Sequence, residues 1–434
     1  MGGAWAAPAL ATAAGVYACV VLAFRLSVRE RMSGLEWAGI LAWSGALAAV
    51  AWWLPSQAGP SAGLQAGLQA LVGGLAVLTA ASVWAWQIRG PRPGTDGVDL
   101  HRSVCVVTGA SSGIGIETAR ELARRGATVV LAVRSVSKTE PVRAELAASF
   151  PGVEVAVMEL DLSSFASVRA FAKALEFRFA RCDVLVHNAG QIASKLQLTV
   201  DGHEQMLQVH CLSVFLLSML LLPLLRASPL EGGARIVIVS SSSMHLACHA
   251  GLRTQDPEFR QPGAFSMVHA YPHSKLCTEL LKVELARRLA LSGVNVSCNS
   301  LSPGTVMTSI ARELPWLLRT LQPLVLFSIN KTPRAGAYTS VWAATSRQLI
   351  GRSGLYLEHC RAHAPHARAC DPAHARMVWA LCEQATGLDA GQLLPAEAGD
   401  SARAAPLDVP AIRSGSIRSK DDRVRRRASV GTSD

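Results

Sequence analysis

A tyrosine and a lysine four residues apart, in Tyr271-Pro-His-Ser-Lys275, are the side chains best suited to move a proton. Four-residue spacing puts both on one face of a helix, one turn apart. An ammonium there stabilises a tyrosinate and draws the phenol pKa down from about 10. Such a phenol can act as a general acid or base without a metal ion. Pro272 lacks an N–H group, which predicts that Tyr271 lies in the first turn of the helix.

Four consecutive serines, Ser240–Ser243, follow a short β-branched run at 236–239. That run is typical of a buried strand. A hydroxyl at its end could hydrogen-bond a substrate oxygen and stabilise the charge that develops on it. Four serines in a row leave open which one does so.

A glycine-rich turn follows another β-branched run, Val104–Val107, and precedes a stretch with helical apolar spacing. The sequence of the turn is Thr108-Gly109-Ala-Ser111-Ser112-Gly113-Ile114-Gly115. Strand, turn, helix and a second strand at Thr128–Val133 form the unit expected of a dinucleotide site. The glycines allow a sharp turn, a close approach of the pyrophosphate and tight packing of the helix, whose N-terminus faces the phosphates.

Arg134 comes directly after the second predicted strand, where an NAD site usually has an acidic residue. No Asp or Glu occurs between Arg125 and Glu140. A guanidinium suits a 2′-phosphate, so the sequence predicts NADP(H). The alternative is a solvated surface arginine.

Strand and helix patterns continue to alternate to about residue 300. This alternation predicts an α/β fold with a doubly wound parallel sheet, and ligands then bind beyond the carboxyl ends of its strands. The further predicted strands are Val153–Met158, Val184–His187, Ile236–Val239 and Val294–Cys298. The predicted helices are Ser163–Phe177 with Ser163 as its cap, about Asp201–Leu225, and about Ala270–Leu291.

These motifs together resemble the short-chain dehydrogenase/reductase family over about residues 100–388. The retinol dehydrogenase branch, which includes the WW-domain oxidoreductase, is the most similar, as in Lys331-Thr-Pro-Arg-Ala-Gly-Ala. The resemblance implies that Ser241 is the catalytic serine, beside Tyr271 and Lys275. It implies a cofactor site formed by Thr108, Gly109, Ser111, Ser112, Gly113, Ile114, Gly115, Arg134, Asp161, Leu162, Asn188, Ala189, Gly190, Tyr271, Lys275, Pro303, Gly304 and Val306.

The same resemblance implies NADP(H)-dependent redox chemistry on a lipophilic alcohol, aldehyde or ketone, such as a retinoid, a steroid or another lipid. One departure is His210, where the family usually has an asparagine that holds a water of the proton relay. His210 could replace it, because imidazole donates, accepts and titrates near neutrality. Otherwise the relay is impaired, and the chain is a cofactor-binding membrane scaffold or sensor.

Residues 1–93 are predicted to form a membrane anchor. Three uncharged apolar runs, at about 5–24, 37–54 and 68–86, each have the length of a transmembrane helix. Basic residues follow the first and third runs, which places the catalytic domain in the cytosol and the N-terminus in the lumen. The alternative is that one or two runs are interfacial or buried helices. The endoplasmic reticulum is the location implied by the resemblance.

The remaining features of the composition limit which partners the protein is expected to bind. The net charge of +11 suits an anionic membrane rather than nucleic acid, because no basic stripe contains interleaved aromatics. Ten scattered cysteines predict buried thiols in a reducing compartment, and the His/Cys spacing at 359–374 fits no zinc pattern, so no metal is expected.

A homodimer is a further expectation. The apolar stretch 314–327 suits a substrate lid, a membrane-facing helix or core packing. Residues 389–434 are predicted to be a disordered basic tail, in which 425–429 is either a kinase site or a solvated segment.

Overall fold

An eight-stranded sheet forms the centre of the protein in this computed structural model, which describes residues 97–304, 306 and 331–394. The strands are β1 (Val104–Thr108), β2 (Thr128–Val133), β3 (Val155–Glu159), β4 (Val184–His187), β5 (Ala234–Val239), β6 (Val296–Ser302), β7 (Tyr356–Glu358) and β8 (Arg361–His363). Their order is β3-β2-β1-β4-β5-β6-β7-β8. All neighbours are parallel except β7 and β8, which are antiparallel. The predicted doubly wound α/β sheet is confirmed.

Helices cover both faces of this sheet. They are α1 (Gly113–Arg124), α2 (Val136–Ser149), α3 (Phe165–Arg178), α4 (Gln205–Leu207), α5 (Ser213–Leu220), α6 (Leu222–Arg226), α7 (Met244–Ala250), α8 (Met267–Leu291), α9 (Pro333–Thr345) and α10 (Pro372–Thr386). Successive β1 side chains alternate between two cores: Val106 packs with α3, α5, α8 and α10, and its neighbours Cys105 and Val107 pack with α1 and α9. Every β1 residue is buried, as expected of a strand covered on both faces.

The predicted cap of α3 is wrong by one residue. Helix α3 begins at Phe165, and the Ser164 hydroxyl accepts the Ser167 N–H. Ser163 is not available as the cap because its N–H and hydroxyl both donate to Asp161 Oδ1, at 2.9 and 2.6 Å. The ends of β3, β5 and β6 also differ from the predicted strands by one to four residues.

Two helix predictions need larger corrections. Helix α8 begins at Met267, so Pro272 is its sixth residue and does not lie in the first turn as predicted. The hydrogen bond that Pro272 cannot make would use the carbonyl of Val268, a residue 61% exposed that water can reach. The single helix predicted over 201–225 is interrupted by a π-helical segment, Gln208–Leu212, and ends before Leu221. The apolar periodicity of the sequence does not reveal the extra residue that a π-helical turn contains.

The predicted membrane anchor (1–93), the apolar stretch 314–327 and most of the predicted tail lie outside the described residues. Among the helices that are described, none has both the length and the apolarity needed to cross a bilayer. The proposed domain boundaries therefore stay predictions. The cysteine prediction can be compared in part: nine cysteines are described, all are free, and seven are buried.

The chain enters the domain beside the C-terminus of α9. Gly97 forms a bridge with Ser346, and the Val98 N–H donates to the Thr345 carbonyl at 2.7 Å. Val98 and Leu100 are buried in the core beside α1 and α9. This junction lies at the amino ends of the strands, since β1 begins at Val104, six residues after Val98.

A fully buried ion pair lies within α8, and its lysine also bonds the region before β7. Lys282 Nζ is 2.7 Å from Glu279 Oε1 and donates to the Gly354 carbonyl at 2.8 Å. Ser300 on β6 also donates to Glu279 Oε1. Neither side chain is exposed, so each charge depends on its partner for stabilisation.

We expect Lys282→Met to lower the free energy of unfolding by about 3–5 kcal/mol, because it leaves a buried carboxylate without its cation. Adding Glu279→Gln should recover most of that loss. Urea unfolding followed by fluorescence measures both. Arg347→Met is the control, since the Arg347–Glu231 pair is more than half exposed and should contribute less than about 1 kcal/mol. Equal effects of Lys282→Met and Arg347→Met would contradict the prediction.

Candidate active site

The predicted site residues gather at the carboxyl edge of the parallel sheet. The glycine-rich turn follows β1, Arg134 follows β2, and Asp161 and Leu162 follow β3. Asn188–Gly190, Ser241 and the turn that begins at Pro303 follow β4, β5 and β6. Ligands of open α/β sheets bind at this edge.

Asn188 joins the turn after β4 to the turn after β1. Its Nδ2 donates to the Thr108 carbonyl at 2.9 Å and lies 3.4 Å from the Gly109 carbonyl. In return, Thr108 Oγ1 accepts the N–H groups of Asn188 and Ala189, both at 3.0 Å. Two of the predicted cofactor segments are therefore fixed to each other by four hydrogen bonds.

Two glycines of the turn have no room for a side chain. A Cβ on Gly109, whose φ is +66°, would lie 2.8 Å from Ala189 Cα. A Cβ on Gly115 would lie 2.4 Å from Asn188 Nδ2 and 2.5 Å from the Gly109 carbonyl oxygen. The glycines thus let the turn and the start of α1 pack directly against the Asn188 segment.

The start of α1 has the donors that a phosphate needs. Gly113 is the first residue of the helix, and the side chain of Ser112 does not cap it. The first-turn N–H groups of a helix have no partner within the helix and attract anions. Ser111 and Ser112 are exposed, so this surface is open to a ligand. The residues present therefore fit a dinucleotide.

Arg134 is exposed at the end of β2, and Asp161 lies next to the end of β3. The Asp161 carboxylate is engaged locally with Ser163. Among the described residues, no side-chain hydrogen bond or ion pair of Arg134 is seen, so its guanidinium is available to an anionic ligand. The Leu162 carbonyl accepts the Ser213 hydroxyl at 2.6 Å and thereby holds α5.

The structure distinguishes among the four serines. Of the four, Ser241 is the serine whose side chain acts on the Tyr271 hydroxyl, and this interaction lowers the Tyr271 pKa. Ser241 Oγ also accepts the Ser243 N–H at 3.2 Å. Ser241 is thus the serine beside the phenol, in agreement with the alignment implied by the family resemblance.

Lys275 lies under the same tyrosine. Its Nζ is 5.9 Å from the centre of the Tyr271 ring and donates to the Val239 carbonyl at 3.1 Å. Burial lowers the pKa of Lys275 to about 8, so the ammonium still predominates at neutral pH.

The lowered Tyr271 pKa is expected when an oxidised, positively charged nicotinamide lies beside the ammonium, and it stays a prediction for that state. The chain without a ligand differs from it. Burial raises the pKa of Tyr271, and the interaction with the Ser241 side chain opposes the rise only in part. Desolvation disfavours the charged phenolate more strongly than its neighbours favour it. The free protein therefore holds Tyr271 as a protonated phenol.

His210 lies on the π-helical segment and contacts the tyrosine from the side. The two rings are 5.7 Å apart, edge to face. His210 Nε2 accepts the Gln191 N–H at 3.0 Å, so that nitrogen carries no proton. Nδ1, 2.9 Å from Ser274 Oγ, must therefore be the donor, and Ser274 in turn donates to the Tyr271 carbonyl. Burial and the nearby Lys275 hold the pKa of His210 well below its usual value.

These bonds connect His210 to the tyrosine helix through Ser274, a residue that the sequence analysis did not single out. No hydrogen bond joins His210 to Lys275 in the described residues. The structure therefore shows His210 as a neutral link between α8 and the Gln191 segment. Whether it also relays protons stays a prediction.

The turn after β6 contacts two other parts of the site. Val306 pairs with Lys331, and a Cβ on Gly336 of α9 would lie 2.8 Å from Val306 Cγ2 and 3.2 Å from Ile114. Lys331 donates to the Pro303 carbonyl at 3.2 Å. Lys331 belongs to the Lys331-Thr-Pro-Arg-Ala-Gly-Ala motif, which by itself predicts no role for the lysine. No group of three or more His, Cys, Asp or Glu side chains suited to a metal ion occurs within the described ranges.

A half-buried serine and tyrosine with a buried lysine, at the sheet edge that also has an open, glycine-lined helix start, define a class of nicotinamide-dependent oxidoreductases. Comparison with known proteins agrees. The family model described as "short chain dehydrogenase" matches residues 103–251. Human retinol dehydrogenase 14 is 36% identical over 74% of this chain and 98% of its own length. Mouse polyprenol dehydrogenase is 37% identical over 66% of this chain and 85% of its own length.

Zebrafish WW domain-containing oxidoreductase is 38% identical over 66% of this chain and 69% of its own length. A solved structure, an uncharacterized protein from Mycobacterium paratuberculosis, is 31% identical with a TM-score of 0.54, over 68% of this chain and 97% of that one. The chain belongs to the short-chain dehydrogenase family of oxidoreductases. The expected resemblance to retinol dehydrogenases and the WW-domain oxidoreductase is confirmed.

We expect Gly115→Ala to weaken NADPH binding about 10- to 100-fold, because overpacking of a tight contact typically costs about 1–3 kcal/mol. The added methyl group displaces Asn188 and with it the turn after β1. Fluorescence titration of bound NADPH measures the effect. Gly152→Ala is the control: its φ of +87° makes alanine strained, but the Cβ would meet no atom. Loss of binding in both variants would contradict a specific role for the Gly115 contact.

Proposed function

We propose that this chain is a membrane-anchored, NADP(H)-dependent oxidoreductase that interconverts a lipophilic alcohol and its aldehyde or ketone. The observation that carries the proposal is the Ser241–Tyr271–Lys275 group at the carboxyl edge of the sheet. Retinol dehydrogenases and a polyprenol dehydrogenase among the relatives support a lipid alcohol as substrate. The uncharged apolar runs before residue 88 support the anchor.

In the direction of reduction, Ser241 orients the substrate carbonyl with a hydrogen bond to its oxygen. Tyr271, held as a phenol by burial, donates its proton to that oxygen while the carbonyl carbon accepts a hydride. NADPH supplies the hydride when it is bound. The buried Lys275 ammonium then stabilises the tyrosinate that remains until a proton from solvent restores it. Oxidation of the alcohol follows the same steps in reverse.

The protein's own residues provide the cofactor site. The first-turn N–H groups of α1 face the pyrophosphate, and Arg134 binds the 2′-phosphate of the adenosine ribose. Asp161 and Leu162 contact the adenine side, and the turns at Asn188–Gly190 and Pro303–Val306 contact the nicotinamide side. The division into an adenine side and a nicotinamide side is what the family resemblance implies, and it is supported by the place of each segment directly after a strand of one parallel sheet.

Exposed apolar side chains near the catalytic residues support a lipophilic substrate. Leu246, on the helix after Ser241, is 59% exposed, and Val268, one turn before Tyr271, is 61% exposed. Leu198 and Val200, in the segment after β4, are exposed as well. Apolar surface of this kind is costly unless it meets an apolar ligand or a membrane.

A catalytically impaired cofactor-binding scaffold or sensor is the second candidate. His210 favours it, because both of its ring nitrogens are engaged in protein hydrogen bonds. A side chain engaged in this way does not offer the water site that the family's asparagine is expected to provide.

We expect Tyr271→Phe to lower kcat about 10²- to 10⁴-fold, because it removes the proton donor. NADPH binding should stay within twofold of the wild type, since the ring is retained. The assay is turnover of retinoid, steroid and long-chain aldehydes by the full chain in detergent. Tyr338→Phe is the control. Tight NADPH binding without turnover of any of these compounds would favour the scaffold.

Cofactor choice is tested at Arg134. We expect Arg134→Ala to weaken NADPH binding about 10- to 100-fold, the value of a charge-assisted hydrogen bond of about 1.5–3 kcal/mol. Binding of NADH, which lacks the 2′-phosphate, should not change. Lys138→Ala, an exposed cation four residues away, is the control. If both variants bind both cofactors as the wild type does, the arginine is only a solvated surface group.

A further inference from the structure

The hairpin between β7 and β8 turns through two residues that are unusual for this conformation. His359 has φ +50° and Cys360 has φ +53°. A two-residue hairpin turn with both φ values positive is normally occupied by Asn-Gly or a similar pair. A residue other than glycine is strained at these positive φ values, because its Cβ lies too close to the backbone. Such a conformation persists only where the surrounding structure holds it.

Two contacts hold the strained turn in place. His359 Nδ1 is 3.2 Å from Lys331 Nζ, and because a lysine ammonium only donates, the imidazole is the acceptor. The Cys360 N–H is 3.4 Å from Thr339 Oγ1 on α9. The turn therefore presents an imidazole lone pair to a lysine at the start of α9.

Lys331 is itself buried against the turn after β6. It is 6% exposed, and burial lowers its pKa. Its Nζ donates to the Pro303 carbonyl at 3.2 Å. A Cβ on Gly304, whose φ is +79°, would lie 3.2 Å from both Cε and Nζ of Lys331. The lysine thus supports this turn with a hydrogen bond and with the side of its chain.

The same support reaches the glycine-rich turn. Lys331 pairs with Val306, and Val306 lies against Gly336 of α9. Gly336 is in turn so near Ile114 that an added Cβ would lie 3.2 Å from the Ile114 side chain. A shift of Lys331 would therefore displace both predicted cofactor segments, the turn after β6 and the glycine-rich turn.

We propose that Lys331 is a positioning residue for nicotinamide-cofactor binding and that the strained His359–Cys360 turn exists to hold it against Pro303. This inference rests on the proposed cofactor site and adds Lys331 and His359 to it. Neither needs to touch the cofactor. Their effect is to fix the Pro303–Val306 turn before the cofactor binds, which removes the entropic cost of ordering it.

The test uses the full chain in detergent and measures the Kd of NADPH by fluorescence titration, with the melting temperature recorded beside it. Lys331→Met keeps the length of the side chain and removes its donors. His359→Gly removes the acceptor and relieves the strain. His359→Asn tolerates a positive φ and places an oxygen where Nδ1 was. Lys173→Met, at an exposed position on α3, is the matched control.

We expect Lys331→Met and His359→Gly each to raise the Kd about tenfold, the size of one charge-assisted hydrogen bond. His359→Asn should stay within twofold of the wild type. The Lys331→Met/His359→Gly double variant should bind no worse than Lys331→Met alone, because both act through one contact. His359→Gly should keep or raise the melting temperature although it weakens binding. The KM for NADPH should rise in these variants with kcat little changed.

Wild-type affinity in His359→Gly would overturn the inference, whether or not Lys331→Met folds. So would an equal loss in His359→Asn and His359→Gly. If the wild-type chain binds neither NADPH nor NADP⁺, the proposed function fails and this inference fails with it. If the wild type binds and the His359 variants bind equally well, only this inference fails.

Discussion

The reciprocal hydrogen bonds between Thr108 and Asn188 are the constraint on which the site depends. They join the ends of two neighbouring parallel strands, β1 and β4, at 2.9–3.0 Å. Gly115 packs so closely on Asn188 that the position of the amide also sets the start of α1. The direction of the helix N–H groups, and hence the place of any phosphate, follows from that amide.

The side chains of the candidate serine–tyrosine–lysine group are held by a separate set of contacts, all centred on α8. The side chain of Ser241, after the end of β5, acts on the Tyr271 hydroxyl, and Lys275 donates to the last carbonyl of the same strand. Burial acts on these two groups in opposite directions: it raises the pKa of the phenol and lowers that of the ammonium. Both shifts favour the neutral forms. The protein without a ligand therefore holds Tyr271 as a neutral phenol.

Much of the fold could be predicted from the sequence because the strands are covered on both faces. The limits of β2 and β4 were predicted correctly, since continuous β-branched runs bounded by turn residues leave little choice. The cap of α3 could not be predicted: two serines compete, and Asp161 decides between them. The three-residue strands β7 and β8 are too short to leave a periodic pattern.

The site could be predicted in its residue types but not in its linkages. The motifs placed Ser241, Tyr271 and Lys275 on the correct elements, and the structure brings them together. The roles of Ser274 and Gln191 depend on a π-helical segment that turns His210 toward both of them. Lys331 is distant from Pro303 in sequence and meets it only after the sheet has formed. The pattern of residue types along the sequence does not predict tertiary contacts of this kind.

The place where the chain enters the domain has a consequence for how substrates arrive. Gly97 and Val98 are fastened beside Thr345 and Ser346, at the amino ends of the strands. The five residues of β1 then span about 16 Å before the glycine-rich turn begins. A tether on the residues before Gly97 would therefore hold the domain at the amino ends of its strands. The candidate active site lies at the opposite, carboxyl edge of the sheet. A ligand supplied from the tethered side would then reach the candidate site only by passing around the domain or after the domain had reoriented.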